Sequence, residues 1–268
     1  MGNKPSMLTV EDVNGAWAII PTPATASGGD WRTENSVDYD EVAGAVNGLI
    51  DAGVDGIMCQ GTFGEGATLT WDEKKKMAEV MVEAAAGRVP IFAGVTTLNT
   101  RETIMQLRHA RDIGADGTML GVPMWQELDV PGAVRFYKDV AEAVPEMAIC
   151  IYANPEAFKF AFPTPFWAQV ADIPQVVSCK YINIAQLQLH TMVSRKQIRF
   201  LPLEFDHKDA ARMDPEFHTA FWSPCACTGP ELTIHWRDII KEAVSTGDWT
   251  TPDALYPRLM SVLSNLFP

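Results

Sequence analysis

The sequence predicts an α/β protein built as a (β/α)8 barrel, also called a TIM barrel. Three observations support this fold class: eight short apolar segments, helical segments between them, and a repeated joint between helix and strand. Apolar segments without the polar-apolar alternation of antiparallel strands are typical of parallel strands buried on both faces. A doubly wound open sheet is the alternative that the same pattern allows.

The predicted strands run along most of the chain, and each is short, continuous and apolar. In chain order they are AWAIIP (16–21), GIMCQG (56–61), PIFAGV (90–95), GTMLGVP (117–123), AICIYANP (148–155), VVSCKYI (176–182), IRFLPLEF (198–205) and TAFWSP (219–224).

The joint between helix and strand is visible as a repeat. DAGVDGIM at 51–58 returns as DIGADGTM at 112–119, and in each copy a glycine, Gly53 or Gly114, can end a helix in the left-handed conformation. An Asp-Gly turn then opens the next strand. One further unit, containing GRVPIFAGV, lies between the copies, so the period is about thirty residues.

The predicted helices have regular apolar faces. The clearest faces consist of Val42, Val46, Leu49 and Ile50, of Met77, Val80, Met81 and Ala84, and of Val134, Tyr137, Ala141 and Val144. Thr70 and Glu73 form a capping box at the start of the second of these helices. This start places GTFGEGATL (61–69) in the loop between strand two and its helix.

The domain organisation that we expect is one catalytic barrel, residues 1–230, followed by a helical extension, residues 231–268. The segments ELTIHWRDIIKEAVSTG and PDALYPRLMSVLSNLF have helical patterns and follow the eighth strand. We expect them to pack outside the barrel.

Composition and charge exclude several classes of function. The net charge of −13 and the pI near 4.8 disfavour nucleic acids and anionic membranes as partners, and the one basic run, Lys74 to Lys76, is predicted to be a solvated helix face. No apolar run approaches a membrane span, and the first fifteen residues lack the order of a signal peptide, so we predict a cytoplasmic protein. The five cysteines contain no C-x-x-C pair and are predicted to be buried thiols.

Active sites of such barrels form at the carboxyl ends of the strands, so polar residues at these ends are the candidates for chemistry. After strand two, Gly61, Gly64 and Gly66 allow backbone N–H groups to approach a carboxylate or a phosphate, although such loops are often only turns. The loop does not match the phosphate-binding pattern G-x-x-x-x-G-K-[ST], which disfavours a nucleotide.

Three side chains at other strand ends are further candidates. Lys180 ends strand six, where burial would lower its pKa toward that of a nucleophilic amine, or where it could instead reach solvent or a carboxylate. Tyr152 ends strand five and is suited to proton transfer or to a place in the core. Trp125 follows strand four and could stack on a flat substrate or only cap the barrel.

These residues carry a family resemblance. The G-T-x-G-E loop, Tyr152 followed three residues later by Pro155, and Lys180 resemble the pyruvate-dependent class I lyases of the N-acetylneuraminate lyase and dihydrodipicolinate synthase family, over about residues 10–245. Within that family, NGAWAIIPTPAT, GTFGEGATLTWDEK, LNTRE, GTMLGVPMW and YANPEAFKF are most similar to the hydratase-aldolases of aromatic catabolism.

The resemblance implies a reaction and a set of roles. A substituted trans-benzylidenepyruvate-type 2-keto acid and water would give pyruvate and an aromatic aldehyde, salicylaldehyde or a fused-ring analogue. Lys180 would form the Schiff base, Tyr152 would move protons, and Thr62 and Phe63 would bind the pyruvoyl carboxylate. The further substrate-binding residues would be Gly61, Trp125, Asn154 and Phe158. The family also implies no metal or organic cofactor, a small-molecule substrate as the partner, and a homo-oligomer, either a tetramer or a trimer.

The chain departs from its synthase-type relatives at the second half of the pocket. Those relatives carry an arginine two residues after the proline of strand five, where this chain has Ala157, and a tyrosine pair after strand four, where it has Met124 and Trp125. A substrate with a second carboxylate is therefore disfavoured, and an aryl group is favoured. Relatives of this type usually continue past LMSVLSNLFP, so we expect a shortened C-terminal end.

Other functions stay open from the sequence. The first is another pyruvate lyase or synthase of the same family. A metal-dependent aldolase could use EFDHKD, with ligands from Glu204, Asp206, His207 and Asp209, although a polar loop is the simpler interpretation. A non-catalytic barrel that binds a 2-keto acid is the third.

Overall fold

The computed structural model describes residues 7–266, with the side chains described as far as residue 261. The first six residues of the segment assessed for a signal peptide, and residues 267–268 of the predicted extension, therefore lie outside the described residues. Within this range no helix has the length and the apolar character needed to cross a membrane.

Eight parallel strands form the centre of the molecule, so the prediction of a (β/α)8 barrel is confirmed and the open sheet is wrong. The strands are β1 (Gly15–Ile19), β2 (Gly56–Met58), β3 (Ile91–Gly94), β4 (Gly117–Leu120), β5 (Ala148–Tyr152), β6 (Val176–Lys180), β7 (Arg199–Leu201) and β8 (Ala220–Ser223). Each lies inside a predicted strand or begins at most one residue before it, and every strand residue is buried.

The barrel is closed through β8, which bonds both to β1 and to the chain just past β7. β1 pairs with both β2 and β8. Just past the end of β7, the Trp222 N–H donates to the Pro202 carbonyl at 3.0 Å, and the Glu204 N–H donates to the Trp222 carbonyl at 3.0 Å. These two bonds join β7 to β8, so the ring of strands is complete.

The helices surround the strands. They are α1 (Tyr39–Ala52), α2 (Trp71–Ala85), α3 (Thr100–Ile113), α4 (Val130–Ala143), α5 (Pro155–Phe158), α6 (Thr164–Val170), α7 (Leu187–Val193), α8 (His207–Met213), α9 (Pro230–Thr246) and α10 (Thr250–Leu266). The capping box predicted at Thr70 and Glu73 begins α2. α9 packs against α1, α8 and β1, and α10 packs on α9.

The repeated joint has the structure that the sequence predicts, and its aspartates have a further role. Gly53 and Gly114 end α1 and α3 in the left-handed conformation, with φ of 100° and 96°. The Asp55 carboxylate accepts the Ala16 N–H at 2.7 Å, and the Asp116 carboxylate accepts the Ile91 N–H at 2.9 Å. Each aspartate therefore binds the start of the preceding strand and fixes the spacing of the barrel at its amino end.

Burial differs from the prediction at two places. Cys59, Cys150 and Cys179 are buried thiols as predicted, but Cys225 and Cys227 are only partly buried, because they lie in a turn after β8. The prediction that Lys74 belongs to a solvated helix face is wrong: Lys74 is 5% exposed, because the face of α2 on which it lies packs against the barrel.

Candidate active site

Lys180 and Tyr152 lie side by side at the carboxyl end of the barrel. Each is the last residue of its strand, β6 and β5, and the two are paired in the register between those strands. Lys180 is 6% exposed. Burial lowers the pKa of Lys180 from 10.5 to about 7, an effect that Cys150 and Cys179 partly oppose. A neutral amine is therefore accessible near neutral pH.

The Lys180 side chain lines a cavity of about 700 Å³. Its polar residues are Thr62, Tyr152, Asn154 and Lys180. The rest of the wall is apolar apart from the backbone of Gly61, with Ile19, Phe63, Met119, Ile182, Leu203, Phe205, Trp222, Pro224 and Met260. No aspartate or glutamate is among these described wall residues. The cavity therefore suits a mostly apolar molecule with a polar end.

Three polar groups form a hydrogen-bonded row at the edge of the cavity. The Tyr152 hydroxyl donates to the Thr62 hydroxyl at 3.1 Å and accepts from the Asn154 side-chain amide at 3.2 Å. The Asn154 side-chain oxygen accepts the Ala157 N–H and so caps α5. The phenol is thus held by two partners, which fixes the position of its oxygen beside the amine.

The loop after β2 has free backbone donors. Within the described residues, the N–H groups of Thr62 and Phe63 have no protein acceptor. The loop is tightly folded, since a side chain on Gly66 would meet the Gln60 carbonyl oxygen at 1.9 Å, and Gln60 itself has a φ of 53°. Strained loops of this kind occur at binding sites, where they hold N–H groups toward a ligand.

Trp222 is a residue beside Lys180 that the sequence analysis missed, as it missed the aliphatic and Phe205 side chains of the wall. The Lys180 nitrogen lies 3.4 Å from the ring centroid of Trp222, and 4.6 Å from the ring centroid of Tyr152. Trp222 is on β8, and its indole N–H donates to the Tyr181 carbonyl at 2.8 Å. Its position in the predicted strand TAFWSP, near the carboxyl end, was the available signal.

Six of the eight predicted site residues line the Lys180 cavity, and Phe158 and Trp125 do not. Phe158 packs edge-on behind Tyr152, with ring centroids 5.2 Å apart, and lines a second cavity of about 450 Å³ with Met124 and Ala157. Trp125 is 69% exposed and lies in a surface depression with Leu98 and Leu128. The aryl roles of both side chains stay predictions.

The segment EFDHKD does not assemble a metal site. Glu204 is buried and accepts a hydrogen bond from the Ser223 hydroxyl. His207 packs on Phe221 with ring centroids 4.6 Å apart, and burial together with His218 lowers its pKa to about 3. In the described part of the chain, no group of three or more histidine, cysteine or acidic residues is arranged to hold a metal ion.

The chain is similar to several known proteins. The model of the dihydrodipicolinate synthetase family matches residues 24–200. The chain is 56% identical to the trans-O-hydroxybenzylidenepyruvate hydratase-aldolase of Pseudomonas putida, over 99% of this chain and 80% of that protein, and 57% identical to the enzyme of the same name from Sphingobium xenophagum, over 98% and 80%. The solved structure of PhdJ bound to a substrate intermediate is 43% identical, with a TM-score of 0.94 over 98% of this chain and 81% of that one.

Proposed function

Because the chain belongs to the dihydrodipicolinate synthetase family and is a lyase, we propose that it is a Schiff-base hydratase-aldolase for trans-o-hydroxybenzylidenepyruvate-type 2-keto acids. The products would be pyruvate and an aromatic aldehyde, salicylaldehyde or a fused-ring analogue. The observation that carries the proposal is the buried Lys180 amine, with a pKa of about 7, at the wall of a largely apolar cavity.

Binding of the keto acid begins at its carboxylate. The free N–H groups of Thr62 and Phe63 and the Thr62 hydroxyl are suited to donate hydrogen bonds to it, and charge-assisted hydrogen bonds to a carboxylate are stronger than neutral ones. This contact places the neighbouring ketone toward the carboxyl end of β6, where Lys180 lies.

Lys180 then acts as the nucleophile. The neutral amine attacks the ketone carbon, and loss of water with uptake of one proton gives an iminium. The iminium is a stronger electron sink than the ketone, so water adds to the conjugated double bond at the carbon that bears the aryl group. Cleavage of the carbon-carbon bond next to the new hydroxyl releases the aromatic aldehyde and leaves an enamine. Protonation and hydrolysis of the enamine release pyruvate and regenerate the amine.

Tyr152 carries the protons in this scheme. Its hydroxyl is held between Thr62 and Asn154, at 3.1 Å and 3.2 Å, so it accepts a proton from one side of the row and returns it without a change of position. Gly61 has a steric role, since a side chain there would meet Met119 at 2.7 Å and Tyr152 at 3.3 Å.

The apolar wall supports an aryl substrate. Phe63, Ile182, Leu203 and Phe205 offer contacts to a ring, and a second substrate carboxylate would be buried without a cationic partner other than Lys180 among the described wall residues. Trp125 and Phe158 would contribute only if the substrate extends beyond this cavity.

Borohydride reduction in the presence of pyruvate tests the proposal. We expect a covalent pyruvate adduct on Lys180, found by peptide mass mapping, in addition to release of aldehyde from the unsaturated keto acid. A protein that binds pyruvate without forming the adduct would be a non-catalytic keto-acid-binding barrel, which would contradict the proposal.

Substrate class is tested in the condensation direction. Pyruvate with salicylaldehyde, benzaldehyde or a fused-ring aldehyde should react with a kcat/KM at least roughly 10² higher than pyruvate with aspartate semialdehyde, because burial of an unpaired carboxylate costs several kcal/mol. Comparable turnover of the semialdehyde would replace the hydratase-aldolase role with a synthase role.

The remaining expectations also stay proposals. We propose that the enzyme needs no metal or organic cofactor, is cytoplasmic, and forms a homo-oligomer, a tetramer or a trimer. Light scattering of the purified protein measures the last of these, and retention of activity with a chelator tests the first. The division into a barrel at 1–230 and an extension at 231–268 is testable by limited proteolysis.

A further inference from the structure

Among the described residues, no protein carboxylate lines the cavity wall where positive charge develops at Lys180. The ionisable groups that face the amine are Tyr152 and Cys150 on β5 and Cys179 on β6, and burial raises the pKa of both thiols, so they stay neutral at pH 7. The segment after β7 contributes Leu203 and Phe205 to the cavity wall and β8 contributes Trp222, and none of these ionises. A cation at this nitrogen must be stabilised by something other than a protein anion.

Two aromatic faces border the nitrogen instead. The ring centroid of Trp222 lies at 3.4 Å from the Lys180 nitrogen and that of Tyr152 at 4.6 Å. The face of an aromatic ring carries partial negative charge, and tryptophan gives the strongest attraction to a cation. The attraction increases when both partners are removed from water, and here Trp222 is 9% exposed and Lys180 is 6% exposed.

The Trp222 ring is fixed in this position by bonds that do not involve a substrate. Its indole N–H donates to the Tyr181 carbonyl at 2.8 Å. Its backbone N–H and carbonyl form the two hydrogen bonds, to Pro202 and Glu204, that close the barrel between β7 and β8. The ring is therefore oriented before the reaction begins, and it does not need to reorganise when charge develops.

We propose that Trp222 is a catalytic residue whose indole face stabilises the positive charge on the Lys180 nitrogen in the iminium. The inference rests on the proposed function. When the amine adds to the ketone, one water leaves and one proton is taken up, and the C=N bond that forms places the positive charge on the same nitrogen. Because that nitrogen stays attached to the lysine side chain, the Trp222 ring lies beside it each time the iminium is present, before water adds and again before carbon-carbon cleavage converts the iminium to the neutral enamine.

A matched pair of variants tests the role of the ring. Trp222→Phe and Trp222→Leu both lose the indole N–H and its bond to Tyr181, but only phenylalanine keeps an aromatic face. We expect Trp222→Leu to weaken the imine equilibrium with pyruvate by roughly 10- to 30-fold, and Trp222→Phe to weaken it clearly less. Borohydride trapping at increasing pyruvate concentrations, read by mass spectrometry, gives the equilibrium constants.

The same variants differ in their pH dependence. Loss of the aromatic face should lower the pKa of the Lys180 amine, so the trapping profile of Trp222→Leu should have its midpoint at lower pH than that of Trp222→Phe. A structural role alone would weaken both variants equally and leave the two midpoints together, and that result would overturn the inference.

Fluorinated tryptophans at position 222 keep the test decisive if either variant fails to fold. One, two or three fluorines preserve the ring shape and the indole N–H but weaken the negative face. The logarithm of the imine equilibrium constant should fall steadily with the number of fluorines, and a flat series would overturn the role of Trp222. Wild-type protein without any pyruvate adduct would instead contradict the proposed function itself.

Discussion

Two of the buried lysines, Lys74 and Lys180, have different surroundings. Lys74 and Lys180 are 5% and 6% exposed, and burial lowers the pKa of both amines. The Lys74 nitrogen donates to the Thr96 carbonyl at 3.5 Å, and Cys59 and Glu102 partly oppose the lowering of its pKa. The Lys180 nitrogen instead meets two aromatic rings and opens into the 700 Å³ cavity. Burial alone therefore does not produce a nucleophile, which also needs free space where a ketone can approach.

Exchanging each lysine for methionine gives the sharpest test of this comparison. Lys180→Met should reduce both turnover and the borohydride adduct with pyruvate to background, because no other amine lines the described cavity wall. Lys74→Met is the matched control, since it removes a lysine of equal burial outside that wall. An adduct on Lys74 in the wild-type protein, or an adduct that survives in Lys180→Met, would remove the distinction between the two sites.

The hydroxyl beside Lys180 gives the next largest effect. Tyr152→Phe keeps the ring at 4.6 Å from the amine but removes the group that moves protons, so kcat should fall by roughly 10² to 10⁴. Single-turnover kinetics would assign the loss to the chemical steps. Asn154→Ala, which removes a hydrogen bond to the Tyr152 hydroxyl and the cap of α5 but leaves the hydroxyl in place, should have a smaller effect. Equal turnover by Tyr152→Phe and wild type would show that Tyr152 is only a packing residue.

The pH dependence of adduct formation distinguishes the Lys180 amine from the Lys74 amine further. Imine formation requires neutral Lys180, and its pKa is about 7, so the rate of adduct formation should fall roughly tenfold for each pH unit below that value and level off above it. The Lys74→Met variant should show the same profile. A midpoint that moves in Lys74→Met would indicate that Lys74 contributes to the titration.

The smallest effect concerns stability. Between about pH 7 and 10.5 the unfolded chain binds a proton at residue 180 that the folded protein does not bind, so this group makes the wild-type protein more stable as the pH rises through that window. Below about pH 7 residue 180 is protonated in both the folded and the unfolded state, so the full free-energy cost of burying the charged amine destabilises the folded protein. Lys180→Met should therefore raise Tm by several degrees at pH 7, with the gain shrinking toward pH 10. Thermal unfolding at a series of pH values measures this, and a gain independent of pH would contradict it.

Local patterns in the sequence were sufficient for most of the barrel. Strand order, the loop at 61–69 and the glycine caps at Gly53 and Gly114 depend on apolar runs, a capping box and backbone conformation, which neighbouring residues encode. The positions of Lys180 and Tyr152 at two strand ends followed from the same runs, and parallel pairing then places them together. Local sequence patterns thus predicted that Lys180 and Tyr152 lie next to each other, but those patterns alone did not assign their chemical roles.

Contacts between distant parts of the chain decided the rest. Trp222 meets Lys180 only because hydrogen bonds between the segments after β7 and within β8 close the barrel, and no local pattern encodes that closure. Lys74 lies in a run of three lysines that the sequence pattern predicts to be a solvated helix face. The packing of α2 against the barrel nevertheless buries its side chain. Trp125 follows a strand as Tyr152 ends one, but its ring is exposed and does not line the Lys180 cavity. Sequence determines which side chains stand at strand ends, whereas the closure of the ring and the packing of helices determine the direction in which each one points.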